Sequence, residues 1–339
     1  MILDIVLFVL GAVLAILTLR DVFQTVVVPG GSHAFLQVGR RVLFALLPLW
    51  KHARGRRRGL SDSFAPLALV LAFIIWMCLL AIGFGLMVFA VRAEFRPALS
   101  GFGDAVYLVG STLATVGLSQ SHPFGVARWV IMAAGFCGLA VMTLAVTYLL
   151  EVQSSISKRD IGIIKLNTSA GNPPSALSLL ERFADLRQRQ ALPEVLTESR
   201  NWCATVRQSH TSHPSLVYFQ SVSTGAGWPA ALGAIMDAAL LAEHCIDDDD
   251  LYGPAVLLRN EGLRMARDLA FMAHIKPQQV GDDTAELKQA CNRLGTSGYP
   301  LRKDADFGVL TAQRAEYRAY VDGLADHLGK PTAVLVRQG

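Results

Sequence analysis

Charge is scarce in this sequence: 17% of the residues are Asp, Glu, Lys or Arg, against roughly 25% in an ordinary soluble domain. The net charge is only +4, and the basic residues form no stripe interleaved with aromatics, which excludes nucleic-acid binding. Cysteine is also sparse. The five present, Cys78, Cys137, Cys203, Cys245 and Cys291, are odd in number and lack C-x-x-C spacing, so no disulfide framework is indicated and all five are expected as reduced thiols. No glycine-rich loop follows a strand pattern, so a nucleotide-binding domain is not indicated. No nucleophile with a base and no paired-carboxylate site emerges, so no catalytic residue is assigned and no cofactor is called for. His210 and His213, and the cluster of His244, Cys245 and Asp247 to Asp250, lack the spacing of a zinc site or a calcium loop. Loop and helix-end roles are expected for them, with no metal site. The amino terminus lacks a cationic leader and a small-residue cleavage site, and is expected to be a retained membrane helix.

What the chain does have is apolar length. Of its 339 residues 52% are hydrophobic, and they concentrate in residues 1 to 152 in runs that match a hydrocarbon core about 30 Å thick. Residues 1–19 read as a first spanning helix ending at Arg20 and Asp21, an expected interface pair, with Asp4 near its other end. It carries no regular arginine ladder, which argues against steep voltage gating. Arg40, Arg41, Lys51, Arg54, Arg56, Arg57 and Arg58 surround VLFALLPLW, a pattern that suits a helix on an anionic membrane face or a solvated basic linker. Because short cytoplasmic loops collect Lys and Arg, this segment is placed in the cytoplasm and the amino terminus outside. Residues 64–91 then span outward, and 125–150 span inward toward Lys158 and Arg159.

The thirty residues between those two helices are unlike an external loop. GFGDAVYLVGSTLATVGLSQSHP holds a helix-compatible apolar stretch too short to span, so a re-entrant helix is expected, roughly Ala105 to Ala114 with Asp104 as its cap. Irregular backbone at membrane depth is tolerated where it lines a water-filled cavity.

The run Ser111-Thr112-Leu113-Ala114-Thr115-Val116-Gly117-Leu118-Ser119 resembles the pore loop of potassium channels, whose filter reads T-V-G-Y-G, and the order outer helix, pore helix, filter, inner helix matches over residues 64 to 155. The resemblance implies a homotetrameric cation channel with potassium or sodium as permeant ion. Its selectivity filter would be Thr115, Val116, Gly117, Leu118 and Ser119, with backbone carbonyls in place of the ion's water. It also places gating-hinge candidates at Gly135 and Gly138, where close helix packing is the alternative. Glu151, at the cytoplasmic end of that helix, is an inner-mouth acidic-ring candidate, where an ordinary interfacial glutamate is the alternative. Leu118 and Ser119 depart from the family's Tyr and Gly, and a serine held at a left-handed backbone angle would cost about 1 to 2 kcal/mol. Gln120 replaces an acid, and Ser111 stands where some relatives carry a carboxylate. At the outer mouth Arg92, Arg96 and Arg128 outnumber Glu94 and Asp104. A small-residue packing segment without an ion path, in a non-conducting receptor or scaffold, is the competing reading.

After residue 158 the pattern is that of a soluble helical domain. Helices are expected after Asn172-Pro173-Pro174, on the Val195/Ser199/Trp202/Val206 face, and over 228–245, 254–275, 284–294 and 308–328. Segment 229–242 is apolar, but its length and Asp237 favour a buried core helix over another span. The fold class is therefore an all-α membrane protein with three transmembrane helices, a re-entrant pore helix and a mainly α cytoplasmic domain. The expected divisions are 1–29, 30–62, 63–157 and 158–339, the partners membrane lipids and further copies of the chain.

Overall fold

The computed structural model describes residues 1–28, 36–54, 64–220 and 224–336, and the chain divides into two compact units, Met1–Val152 and Gln153–Gly339. It is an all-α membrane protein with a helical carboxy-terminal unit.

In the first unit, α1 (Ile2–Val26), α2 (Val38–Arg54), α3 (Phe64–Ala90) and α4 (Phe102–Leu113) precede α5 (Val126–Ala170). Helices α1, α3 and α5 are long and apolar enough to cross a membrane. Helix α1 buries one stripe, Gly11, Ala15, Thr18 and Val22, and packs on α3. A Cβ at Gly11 would meet the Gly83 carbonyl oxygen, and one at Gly83 would lie 3.1 Å from the Ala15 amide nitrogen. Small residues let two membrane helices approach this closely, which replaces the hydrophobic drive that lipid cannot supply.

Asp21 is not the interface partner of Arg20. Its carboxylate is 1% exposed and accepts three N–H groups: Gln37 (2.6 Å), Val38 (3.1 Å) and the Trp76 indole (2.8 Å). It therefore caps α2 and ties that helix to α3, because the first amides of a helix have no partner of their own. Helix α2 buries Val42 and Trp50, and Trp50 stacks on Phe64 at 5.4 Å. The side chains of Arg40, Lys51 and Arg54, and residues Arg56, Arg57 and Arg58, lie outside the described part.

Helix α5 runs unbroken for 45 residues, about 68 Å at 1.5 Å per residue. The expected end at residue 150 is thus overturned. Nothing between 150 and 170 breaks a helix, and the chain turns at Gly171, φ +81, ahead of Pro173. Arg159 is buried within the second unit, paired with Asp160 at 3.1 Å and donating to the Leu216 carbonyl, so of the two basic residues expected beyond the inner end of the span only Lys158 is exposed.

The second unit adds α6 (Ala176–Asp185), α7 (Leu192–Ser212), α8 (Gly227–His244), α9 (Asp249–Met272), α10 (Thr284–Thr296) and α11 (Phe307–Leu328). Helix α8 is buried on every side, as expected of a helix apolar all round, and α6, α7, α9 and α11 pack around it. The aspartate run resolves into a helix start: Asp248 caps α9, and Asp249 and Asp250 lie in its first turn, where negative charge meets the positive end of the helix dipole. Helix α9 therefore begins five residues before the expected 254. Cys245 and Cys291 form a disulfide, with Cα atoms 5.9 Å apart and 46 residues of separation. This corrects the expectation of five thiols, which rested on local spacing, whereas the fold joins the end of α8 to α10.

His210 is fully buried on α7, its Nδ1 2.8 Å from the Val206 carbonyl oxygen. Burial, reinforced by the Arg159 guanidinium, pushes its pKa down to about 3. The folded protein therefore stays unprotonated where an unfolded histidine, at about 6.5, takes up a proton, and stability falls as pH drops below 6.5. Full-length protein in detergent is expected to lose about 2 kcal/mol between pH 7 and pH 5. Denaturant titrations at both pH values check this, and His210→Gln should flatten the dependence.

Candidate functional site

Between α3 and α5 the chain dips through α4 and an irregular return. The return is flanked by a two-residue antiparallel pairing, β1 (Phe95–Arg96) with β2 (His122–Pro123). Helix α4 starts at Phe102, and Gly101 before it is the cap, without a side-chain bond. Asp104 is not that cap. It lies inside the first turn and its Oδ2 accepts the Ser100 amide at 3.2 Å, where an acid also complements the helix dipole.

The carboxy-terminal end of α4 holds the return segment through one residue. The Ser111 carbonyl oxygen accepts the amides of Val116 (2.9 Å) and Gly117 (3.1 Å), and the Ser111 hydroxyl oxygen accepts the amide of Leu118 (2.6 Å). Three consecutive N–H groups thus point back at α4. In a trans peptide the carbonyl of the preceding residue points the opposite way, and these peptides are all trans. The carbonyls of Thr115, Val116 and Gly117 therefore turn together away from the pore helix, on a stretch exposed from Ala114 to Gln120.

The backbone alternation that achieves this falls at Thr115, φ +59, and Gly117, φ +71. Glycine carries no penalty at such an angle, whereas a β-branched threonine is strained by about 1 to 3 kcal/mol. The expected strain at Ser119 is not found, since Ser119 is not among the positive-φ residues. Its hydroxyl instead donates to the Ser121 carbonyl (2.7 Å) and accepts the Ser121 amide (3.0 Å), closing a local turn. Leu118 is exposed, and Ser111 supplies its amide with the tie that a tyrosine hydroxyl cannot give here.

Gly138 on α5 sits directly against the end of α4. A Cβ there would meet the Leu113 carbonyl oxygen and lie 2.7 Å from the Leu113 Cα, whereas a Cβ at Gly135 would meet only the Thr112 methyl at 3.5 Å. The start of α5 is capped by Glu94, whose Oε2 accepts the Ala127 amide at 2.9 Å. The arginines flanking the return have partners as well: Arg92 pairs with Asp4 at 3.0 Å, Arg96 lies over the Phe124 ring, and Arg128 donates to the Pro123 carbonyl. Glu151 is exposed on α5. Among the described residues no group of three His, Cys, Asp or Glu side chains is placed to hold a metal ion.

The Ser111 clasp was only half visible in the sequence, where its position signalled a family carboxylate site but not which amide it would meet. Ser111→Ala is expected to free the Leu118 amide at a cost of about 1 kcal/mol. Hydrogen exchange at that amide, about fivefold faster in the variant, checks this, and Ser111→Thr should behave as the parent.

A family model described as Ion channel matches residues 71–154, about a quarter of the chain. No curated protein and no solved structure matches the chain. The matched segment contains most of α3, all of α4, the return with Ser111 to Ser119, and α5 as far as Ser154. It is an ion-channel domain of the potassium-channel-like kind.

Proposed function

We propose, on the premise that residues 71–154 form an ion-channel domain, that four copies of this chain surround one axis and pass potassium or other monovalent cations. One loop per chain supplies one quarter of a coordination ring, so closure needs fourfold symmetry. What carries this reading is the common direction of the Thr115, Val116 and Gly117 carbonyls, fixed by the three amides that Ser111 holds. A cation gives up its hydration only where oxygen dipoles replace it, and three stacked rings of carbonyls do so. The carboxy-terminal end of α4 adds partial negative charge behind the filter, which favours cations over anions.

Leu118 and Ser119 form the outer end of the filter. Because Ser119 is drawn into its own turn, ion coordination concentrates on the three inner carbonyl rings. In this reading Glu151 sits at the inner mouth and the amino terminus lies outside. The link between Asp4 and Arg92 joins the beginning of α1 to the end of α3, which supports placing both on one side. The carboxy-terminal unit then lies in the cytoplasm, where it modulates the pore.

Purified protein in liposomes tests the proposal. Potassium-driven flux should appear with the parent protein and vanish in Gly117→Ala, because an alanine at φ +71 turns the carbonyl stack out of line. Silence of the parent across ions, voltage and pH would instead favour a non-conducting receptor or scaffold.

A further inference from the structure

The second unit holds a half-open groove of about 640 Å³, inside the 300 to 1,000 Å³ range of small-molecule sites. One wall is a single face of α5, with Lys158, Ile161, Gly162, Lys165, Leu166 and Ser169 recurring at helical spacing. The facing walls come from α6, α7 and α8. Its construction is specific at Gly162, where a Cβ would lie 2.8 Å from the Trp202 Cγ. The Trp202 indole donates to the Arg159 carbonyl at 2.9 Å, which holds the ring against the helix.

Charge and apolarity are separated within this groove. Phe183, Leu179, Trp202 and Ile235 supply an apolar interior, while two ammonium groups and one carboxylate, Glu198, stand along it. Lys165 meets Glu198 only at 3.6 Å, with both side chains mostly exposed, a pair worth little. Lys158 is exposed and makes no ion pair among the described residues. Ile161, next to it along the groove, is a half-exposed large apolar residue. An apolar interior with surplus positive charge at one end complements a molecule with a hydrocarbon body and a single anionic head.

We propose that this groove binds a single-chain anionic amphiphile, an acyl or aryl carboxylate taken up from water. Its carboxylate meets Lys158, and its body lies over Trp202 between α5 and α7. The binding event does not depend on ion conduction, so it stands or falls separately from the pore.

The test uses full-length protein in zwitterionic nanodiscs with 11-bromoundecanoate as probe, because bromine quenches indole fluorescence at contact. Saturable quenching is expected, with the quenched component lost in Trp202→Phe. Lys158→Gln should raise the half-saturating concentration about tenfold, as should replacing the acid by 11-bromoundecanol. Ser199→Phe, which keeps the indole and fills the groove from α7, should raise it at least as much. Quenching equal for acid and alcohol, or unchanged in Lys158→Gln and Ser199→Phe, would overturn the proposal. So would absence of saturable quenching, the outcome if a neighbouring copy fills the groove. Quenching of Trp202 by a brominated anionic bilayer lipid without added acid would assign the groove to membrane lipid and overturn it equally.

Discussion

Adding one methyl group at Gly138 is expected to prevent assembly of a conducting protein, while the same change at Gly135 should be tolerated. At Gly138 the added carbon would lie 2.7 Å from the Leu113 Cα and 2.8 Å from its carbonyl carbon. These are backbone atoms at the last turn of α4, so neither can swing aside as a flexible side chain would. Overpacking costs typically 1 to 3 kcal/mol, and here relief requires moving α4 and with it Ser111, whose three bonds orient the amides of Val116, Gly117 and Leu118. Gly138→Ala should therefore lower flux at least tenfold and broaden the oligomer peak in size-exclusion chromatography. Gly135→Ala should leave both near the parent. If both glycines served as hinges, both variants would assemble normally and differ only in open probability, which single-channel recording would reveal.

The second large effect lies in the carboxy-terminal unit. Arg314 is 1% exposed and Asp237 2%. The guanidinium forks onto that carboxylate at 2.9 and 3.1 Å, Tyr317 donates its hydroxyl to the same group, and Arg314 reaches Asp283 at 2.6 Å. One set of bonds thus ties α8, α11 and the start of α10 together. Burying two charges costs several kcal/mol, so the pair adds little net stability, but removing one partner strands the other. Arg314→Met is expected to destabilise by about 3 to 5 kcal/mol. Asp237→Leu together with Arg314→Met and Tyr317→Phe should recover most of that loss. Thermal unfolding followed by near-ultraviolet circular dichroism checks both, and a triple variant as unstable as the single one would show that the network contributes more than charge compensation.

These two sites also show what could be read from the sequence. The pore helix and the three spanning helices were legible because length and apolarity alone decide them, and most helices of the second unit followed from their periodicity. Asp237 signalled that α8 is a core helix, since a charge inside an apolar run needs a partner. The partner was not legible, because Arg314 lies 77 residues away and only the folded chain brings them together. The role of Asp21 was not legible for the same reason: beside Arg20 it looks like an interface residue, whereas its three donors come from residues 16 to 55 positions away. The true end of α5 was visible, since Pro173, just after Gly171, is the first proline beyond the membrane segment. The charged residues that follow residue 150 mark the end of the apolar span, and charge ends a span and not a helix. Strain in the filter was expected from a missing glycine at Ser119, but the backbone alternation falls two and four residues earlier, at Gly117 and Thr115.

The most direct measurement is the position of rubidium ions in the assembled protein, read by anomalous diffraction. Peaks on a fourfold axis, each ringed by four copies of the Thr115, Val116 or Gly117 carbonyl oxygen, are the expected result. An assembly without that axis, or rubidium absent while those oxygens face lipid or protein, would contradict it.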